Sequence, residues 1–263
     1  MKVLIIGDIM GRPGRDAVSE FLSRKKDEYD FIIANGENAA AGFGITPKIA
    51  DEFFEMGVDI LTSGNHIWDK KEIYEYINEN GNLLRPLNYP KGVPGNGYVI
   101  KTNKKGQKLA VINIQGRVFM PEVDSPFDRI EEVLGEIRKE TTNIIVDFHA
   151  EASSEKVAMG WYLDGRVSMV YGTHTHIQTA DDRILEKGTG FISDAGMTGA
   201  HDSIIGMSIE TVLPKFLNSL PSRFEVATGN VKVNGLELTI DKSGLCKELN
   251  RINVSIEELD FLF

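Results

Sequence analysis

The sequence predicts an α/β fold, and two observations predict it. Short, continuous apolar runs of the kind carried by buried parallel strands alternate with amphipathic helical stretches. Five of those runs also stop at residues bearing oxygen or imidazole donors, as strands facing a ligand do in α/β sheets.

The first run, Lys2–Gly7, ends at Asp8. Pro13 suits the first position of a helix running to about Lys26, with Ala17, Val18, Phe21 and Leu22 on one face. Phe31–Ala34 is the second run and leads into Asn35-Gly36-Glu37-Asn38. Thr46 supplies a capping hydroxyl and Pro47 opens the next helix. Val58–Leu61 is the third run; it stops at Thr62-Ser63-Gly64-Asn65-His66, and a helix is expected from Asp69 to about Asn78. Leu87–Gly97 holds three Gly and two Pro and reads as loop. Tyr98–Thr102 and Lys108–Ile114 pair as a hairpin around Asn103–Gly106. Pro126–Lys139 is helical, with Ile130, Val133, Leu134 and Ile137 along one face. Ile144–Phe148 is a strand ending at His149, and Ser153–Leu163 a helix. Val167–Tyr171 is a strand ending at Gly172-Thr173-His174-Thr175-His176. Beyond it, Gly190–Ser193, Arg223–Ala227 and Val231–Ile240 read as strands around a helix near Ser208–Leu220. Asp194–Asp202 reads as a glycine-bearing loop. No repeat, low-complexity tract or long linker divides the chain, so a single domain over residues 1–263 is expected.

Composition narrows the function. No apolar run approaches the ~20 residues that cross a bilayer, and the N-terminal run ends in an aspartate, as a strand does and a signal-peptide core does not. A cytoplasmic location without a membrane partner is expected. The net charge of −10 argues against tracking long nucleic acid. Bound cations would still attract a small phosphate ligand. The single Cys246 cannot form an intrachain disulfide, removes a thiolate-rich metal site from consideration, and is expected to be structural. The glycine-rich phosphate loop, the dinucleotide fingerprint and the nucleophile elbow are all absent.

Four of the five histidines, His66, His149, His174 and His176, fall at the strand ends, beside Asp8, Glu37, Asn38 and Asn65. Singly, each has a bland reading: an aspartate caps a turn, a histidine satisfies a buried partner, Asn65 turns the chain after Gly64. Their joint delivery to one rim points to a metal centre, and imidazole with carboxylate and amide oxygen suits iron, manganese or zinc. If His174-Thr175-His176 is extended, both imidazoles point the same way and each reaches one of two neighbouring ions.

The blocks Gly7-Asp8, Gly36-Glu37-Asn38, Gly64-Asn65-His66, His149 and Gly172-Thr173-His174-Thr175-His176 resemble the calcineurin-like metallophosphoesterase superfamily. Most members open with Asp-x-His, whereas Met10 stands at the third position here, and Glu37 replaces the usual bridging aspartate. Both departures resemble the bacterial YmdB-like phosphodiesterases, which act on cyclic nucleotides. Ile6–Arg15, Asn35–Ala40, Ser63–Asp69, Asp147–Glu151 and Asp194–Gly199 are similar to that branch as well. The resemblance implies a β-sandwich flanked by helices, in αββα order, and two metal ions, often iron. It implies Asp8, Glu37, Asn38 and His176 on one ion and Glu37, Asn65, His149 and His174 on the other. Glu37 would bridge, and Asn38 would compensate for the histidine lost at Met10.

Such an ion pair would activate a water for attack on phosphorus. His66, beside the ligand Asn65, is assigned as general acid, because an imidazole titrates near neutral pH. The expected substrate is a small phosphodiester, above all a 2′,3′-cyclic nucleotide, with 3′,5′-cyclic nucleotides next. Arg12, at a helix start, is a candidate substrate contact. Phe43 and Trp68 are candidates for stacking on a base, and His201 for bordering the pocket. A phosphomonoesterase or RNA nuclease on the same metals is the alternative, and a non-catalytic metal-bound sensor or interaction protein is another. The Asn65-His66 pair argues against the last, because a scaffold needs no leaving-group acid. The sequence leaves the oligomeric state open, a homo-oligomer included.

Overall fold

The computed structural model describes residues 1–259; residues 260–263, the end of the expected domain, lie outside the described residues. The expected α/β alternation folds into two sheets. In the first, the strand order is β2 (Asp8–Ile9), β11 (Met197–Ala200), β12 (Val231–Ile240), β1 (Lys2–Ile6), β3 (Phe31–Asn35) and β4 (Ile60–Thr62), with β13 (Cys246–Ser255) also paired to β12. In the second, it is β5 (Tyr98–Thr102), β6 (Lys108–Gln115), β7 (Ile144–His149), β8 (Met169–Thr173), β10 (Gly190–Ile192) and β9 (Arg183–Ile184). The central strands β1, β3 and β4 are parallel, and so are β6, β7, β8 and β10.

The helices are α1 (Gly11–Lys25), α2 (Pro47–Met56), α3 (Ile73–Glu79), α4 (Pro126–Glu140), α5 (Ser153–Tyr162) and α6 (Ile209–Asn218). The central strands β1, β3, β4, β7 and β8 are buried on both faces, which is why the sequence shows unbroken apolar runs there. Val3, Ile5, Phe31 and Ile33 of one sheet meet Val111, Ile145, Met169 and Tyr171 of the other. The alternate residues Leu4, Ile6, Ile32 and Ala34 pack on Val18, Phe21 and Leu22 of α1 and Phe53 of α2. Ile112, Val146, Phe148 and Val170 do the same against Ile130, Leu134 and Ile137 of α4 and Met159 of α5. The result is the expected αββα sandwich. Among the described residues no helix is long and apolar enough to cross a membrane.

Several elements depart from expectation for local reasons. Helix α3 starts at Ile73, because Asn65–Trp68 first form a 3-10 turn. Arg223–Ala227 is not a strand; only a single bridge, Met207 to Val226, touches it. Met197–Ala200, expected in a loop, is the short strand β11. Strand β13 lacks an apolar run, since Lys247, Glu248 and Arg251 face outward, and its antiparallel pairing along β12 makes it a strand.

Gly7 controls where the first functional residue lands. Its N–H donates to the Asn234 carbonyl, and the next N–H, of Asp8, donates to the Gly196 carbonyl, each at 3.0 Å. The chain thus passes from β12 to β11 within one residue. A Cβ at Gly7 would stand 1.9 Å from the Gly196 oxygen. Gly7→Ala is expected to cost about 1–3 kcal/mol of stability through forced backbone shifts. A urea midpoint equal to that of the unaltered protein would contradict this.

Candidate metal centre

The carboxyl ends of both sets of parallel strands meet at one rim, and the residues there share a pattern. Each oxygen donor is anchored at one end and bare at the other. Asp8 Oδ2 accepts from the His174 backbone N–H at 3.2 Å, while Oδ1 has no hydrogen-bond partner. Glu37 Oε2 accepts from the His66 backbone N–H at 3.1 Å, while Oε1 has no hydrogen-bond partner. The Asn38 amide donates to the Gly42 carbonyl at 3.0 Å, while its Oδ1 is bare. All three side chains are buried. Buried oxygens without a donor cost stability, and a cation would satisfy them.

The imidazoles follow the same logic. His174 Nε2 faces Glu151 Oε2 at 3.2 Å, and His176 Nδ1 faces the Ile205 carbonyl at 2.9 Å. Both oxygens only accept, so those nitrogens carry the proton. His149 Nδ1 lies 2.9 Å from Thr173 Oγ1, whose hydroxyl donates to Asp147 Oδ1 at 2.7 Å. Thr173 therefore accepts from His149. In each neutral ring the remaining nitrogen keeps its lone pair. Those of His149 and His174 then lie 3.1 Å apart, with Asn65 Oδ1 at 3.0 Å and Glu37 Oε1 at 3.1 Å from His149 Nε2. One donor atom each from Glu37, His149 and His174 lies within 4.8 Å of the others. With His149 neutral this is a knot of acceptors, and mixed nitrogen and oxygen donors of this kind fit iron, manganese or zinc. Gly64 leaves room for it: a Cβ there would stand 2.2 Å from His149 Nε2 and 2.4 Å from Glu37 Oε2.

Electrostatics agrees. Burial, then the Asp194 charge, pushes the Asp8 carboxyl well above the usual carboxylate range. Burial would also raise Glu37, but the His149 and His66 groups outweigh it and bring it to about 2. Burial, helped by the His149 charge, lowers His174 to about 3, and burial lowers His176, so both rings are neutral as ligands must be. Burial lowers His149 too, but the Glu37 carboxylate reverses the direction. A proton and a cation compete for that lone pair.

Two buried polar clusters hold the donors. Asp147 accepts from Asn35 Nδ2 at 3.2 Å and from the Thr62 hydroxyl, both in the opposite sheet, as well as from Thr173. Burial raises the Asp147 carboxyl against these three donors. The second cluster corrects one expectation. His174 and His176 do not lie on an extended segment; β8 ends at Thr173, and the two histidines have φ of +93° and +66°. Between them, Thr175 donates from its N–H and its hydroxyl to Asp194 Oδ2, at 3.2 and 2.7 Å. The same oxygen takes the buried Lys156 ammonium at 2.8 Å. These bonds to Asp194 hold the turn in which two non-glycine residues are left-handed.

Comparison with known proteins bears on this geometry. A family model described as YmdB-like protein matches residues 4–252. The chain belongs to the YmdB-like family. A 2′,3′-cyclic-nucleotide 2′-phosphodiesterase of Bacillus subtilis (strain 168) is 49% identical over 265 residues, covering 99% of this chain and 100% of the relative. A crystal structure of a hypothetical protein from Thermus thermophilus matches with a TM-score of 0.92 at 42% identity, covering 97% of this chain and 99% of that one. A crystal structure of a phosphatase from Mycoplasma pneumoniae matches with a TM-score of 0.90 at 31% identity, covering 99% and 96%.

In this YmdB-like chain a cavity of about 450 Å³ opens over the rim, lined in part by Glu37, Asn38, His66, His174 and His176. His66 stays out of the acceptor knot. Its Nδ1 faces Asp69 Oδ2 at 2.9 Å and its ring meets Phe43 edge-on at 5.1 Å. Phe43 lines the cavity; Arg12, Trp68 and His201 do not. Arg12 is 81% exposed at its side chain and pairs with Asp16 at 3.4 Å, beside a neighbouring depression. Trp68 packs edge-on against Tyr74 and Tyr89, and His201 Nε2 faces the Met197 carbonyl at 3.2 Å. Cys246 is buried, and burial pushes its thiol up to about 12, in keeping with a structural role. The sequence reading missed Asp69, Asp147, Thr173, Lys156 and Asp194. Only Asp69 had a local signal: it stands three residues after His66, and i and i+3 eclipse in a 3-10 turn.

Two outcomes are expected. Thr173→Val removes the partner that fixes the His149 tautomer, and metal affinity is expected to fall ~10–100-fold; an unchanged metal titration would contradict it. Lys156→Met leaves Asp194 buried without its partner and is expected to cost about 3–5 kcal/mol in chemical denaturation.

Proposed function

We propose that this chain is a metal-dependent phosphodiesterase that opens 2′,3′-cyclic nucleotides to nucleoside monophosphates. The observation that carries the reading is the acceptor knot of Glu37, Asn65, His149 and His174 beside the bare oxygens of Asp8 and Asn38. The name of the Bacillus subtilis relative supports the substrate class. Two ions are proposed, iron first and manganese or zinc as alternatives. Asp8, Glu37, Asn38 and His176 would hold one; Glu37, Asn65, His149 and His174 would hold the other. When bound, ions of this class supply positive charge for the phosphoryl oxygens and a nucleophilic water at neutral pH.

The chain's own residues supply the proton. Ring opening adds the elements of water across a P–O bond, and the departing ribose oxygen must be protonated. His66 is proposed as that acid. Asp69 accepts from Nδ1, which fixes the ring's orientation and leaves the other ring nitrogen for the leaving group. Glu37 holds the His66 backbone, so the acid is tethered to a proposed metal ligand. The name of the Mycoplasma pneumoniae structure favours one second reading, a phosphomonoesterase on the same centre.

The test is a parallel assay of 2′,3′-cyclic AMP, 3′,5′-cyclic AMP and a simple phosphomonoester on protein of measured metal content. Hydrolysis of 2′,3′-cyclic AMP that stops on chelation is expected. Activity on the monoester alone would sink the diesterase reading. Loss of the acid in His66→Ala is expected to lower kcat by roughly 10²–10⁴ with metal retained, and full turnover would remove the assignment.

A further inference from the structure

The cavity has two halves of opposite character. The polar half holds Glu37, Asn38, His174 and His176. The other half is apolar and is built from a separate cluster in which Met10, Met207 and Val212 are buried and Phe43 and Phe224 are packed against them. Met10 belongs to this cluster, so the position where the superfamily places a histidine ligand here forms pocket wall. Helix α6 closes that side. Its Val212, Lys215 and Phe216 recur at i, i+3 and i+4, which puts them on one face, and all three line the cavity. Phe216 is 73% exposed, so this ring reaches the cavity without being part of the core. The Lys215 ammonium lies 5.0 Å from the centre of the Phe224 ring.

We propose that this apolar half receives the nucleobase of the substrate, stacked against Phe216 and Phe224, while the phosphodiester sits over the polar half. The proposal rests on the phosphodiesterase reading above. Every nucleobase has a π face for an aromatic wall, so stacking holds any of them. Every base also carries a ring nitrogen or carbonyl acceptor that can take a hydrogen bond from Lys215. The wall has no fixed pattern of donors and acceptors to tell bases apart, and methionine side chains adapt to either ring size. The subsite therefore selects a nucleotide over a base-free diester and discriminates weakly between purine and pyrimidine.

The test compares 2′,3′-cyclic AMP, 2′,3′-cyclic CMP and 1-O-methylribose 2′,3′-cyclic phosphate, which has no base, on the unaltered protein and on Phe216→Ala. The exposed ring makes no demand on folding. The ratio of kcat/KM for either nucleotide to that for the base-free diester is expected to fall roughly 5–100-fold in the variant, through KM. A ratio unchanged by Phe216→Ala overturns the proposal, as does an equal loss on all three substrates. Binding of 3′-AMP and of ribose 3-phosphate, which differ in the base, is measured alongside by calorimetry. If the unaltered protein hydrolyses none of the diesters, the phosphodiesterase reading fails. The subsite then stands if 3′-AMP binds more tightly than ribose 3-phosphate and Phe216→Ala removes the difference, and falls if it does not.

Discussion

Asp147 is the group on which the rest of the site depends. It is a buried carboxylate at the seam of the sandwich, where an unsatisfied charge would be very costly. Three donors meet it: Asn35 and Thr62 from the first sheet and Thr173 from its own. Apolar contacts between sheets tolerate sliding, whereas a satisfied polar clasp does not. Asn113 makes a second clasp, accepting from the Ser63 N–H at 3.1 Å and donating to the Ser63 carbonyl at 2.9 Å. Between them the two clasps fix Glu37 and Asn65 of one sheet against His149 and His174 of the other.

The same carboxylate sets chemistry as well as position. Because Thr173 donates to Asp147, it accepts from His149, and the His149 lone pair turns toward Glu37 and Asn65. Glu151 and the Ile205 carbonyl perform the equivalent service for His174 and His176. A donor set oriented this way before a cation arrives needs little reorganisation to bind it. The protein bears the cost in bare buried oxygens and two left-handed histidines, and the bonds to Asp194 hold the turn between those histidines. Met10 packs into the apolar cluster beside the cavity, and Asn38, its oxygen buried without a hydrogen-bond partner, lines the same cavity.

Much of this was legible in the sequence. Strands buried on both faces must be apolar throughout, so β1, β3, β7 and β8 announce themselves and their polar ends stand out. Helices α1, α2 and α4 show through their spacing and through Pro13, Thr46-Pro47 and Pro126. Strand β13 was hidden because its side chains are largely polar and its partner alone makes it a strand. Arg12 looked like an anion contact because it opens a helix, yet its side chain borders a neighbouring depression and does not line the cavity that His66 lines.

By itself, then, the sequence determined the α/β class and singled out the proposed metal ligands and the His66 position, because each is a local pattern of apolarity ending in a donor. Only the tertiary structure decided how those side chains are held. The tautomer of His149, the turn through His174 and His176, the Lys156–Asp194 pair and the apolar wall of α6 all depend on contacts between residues far apart in the chain. Their types carry no local signature: a lysine on a helix or a threonine after a glycine acquires its role only from the charge or lone pair that folding places beside it.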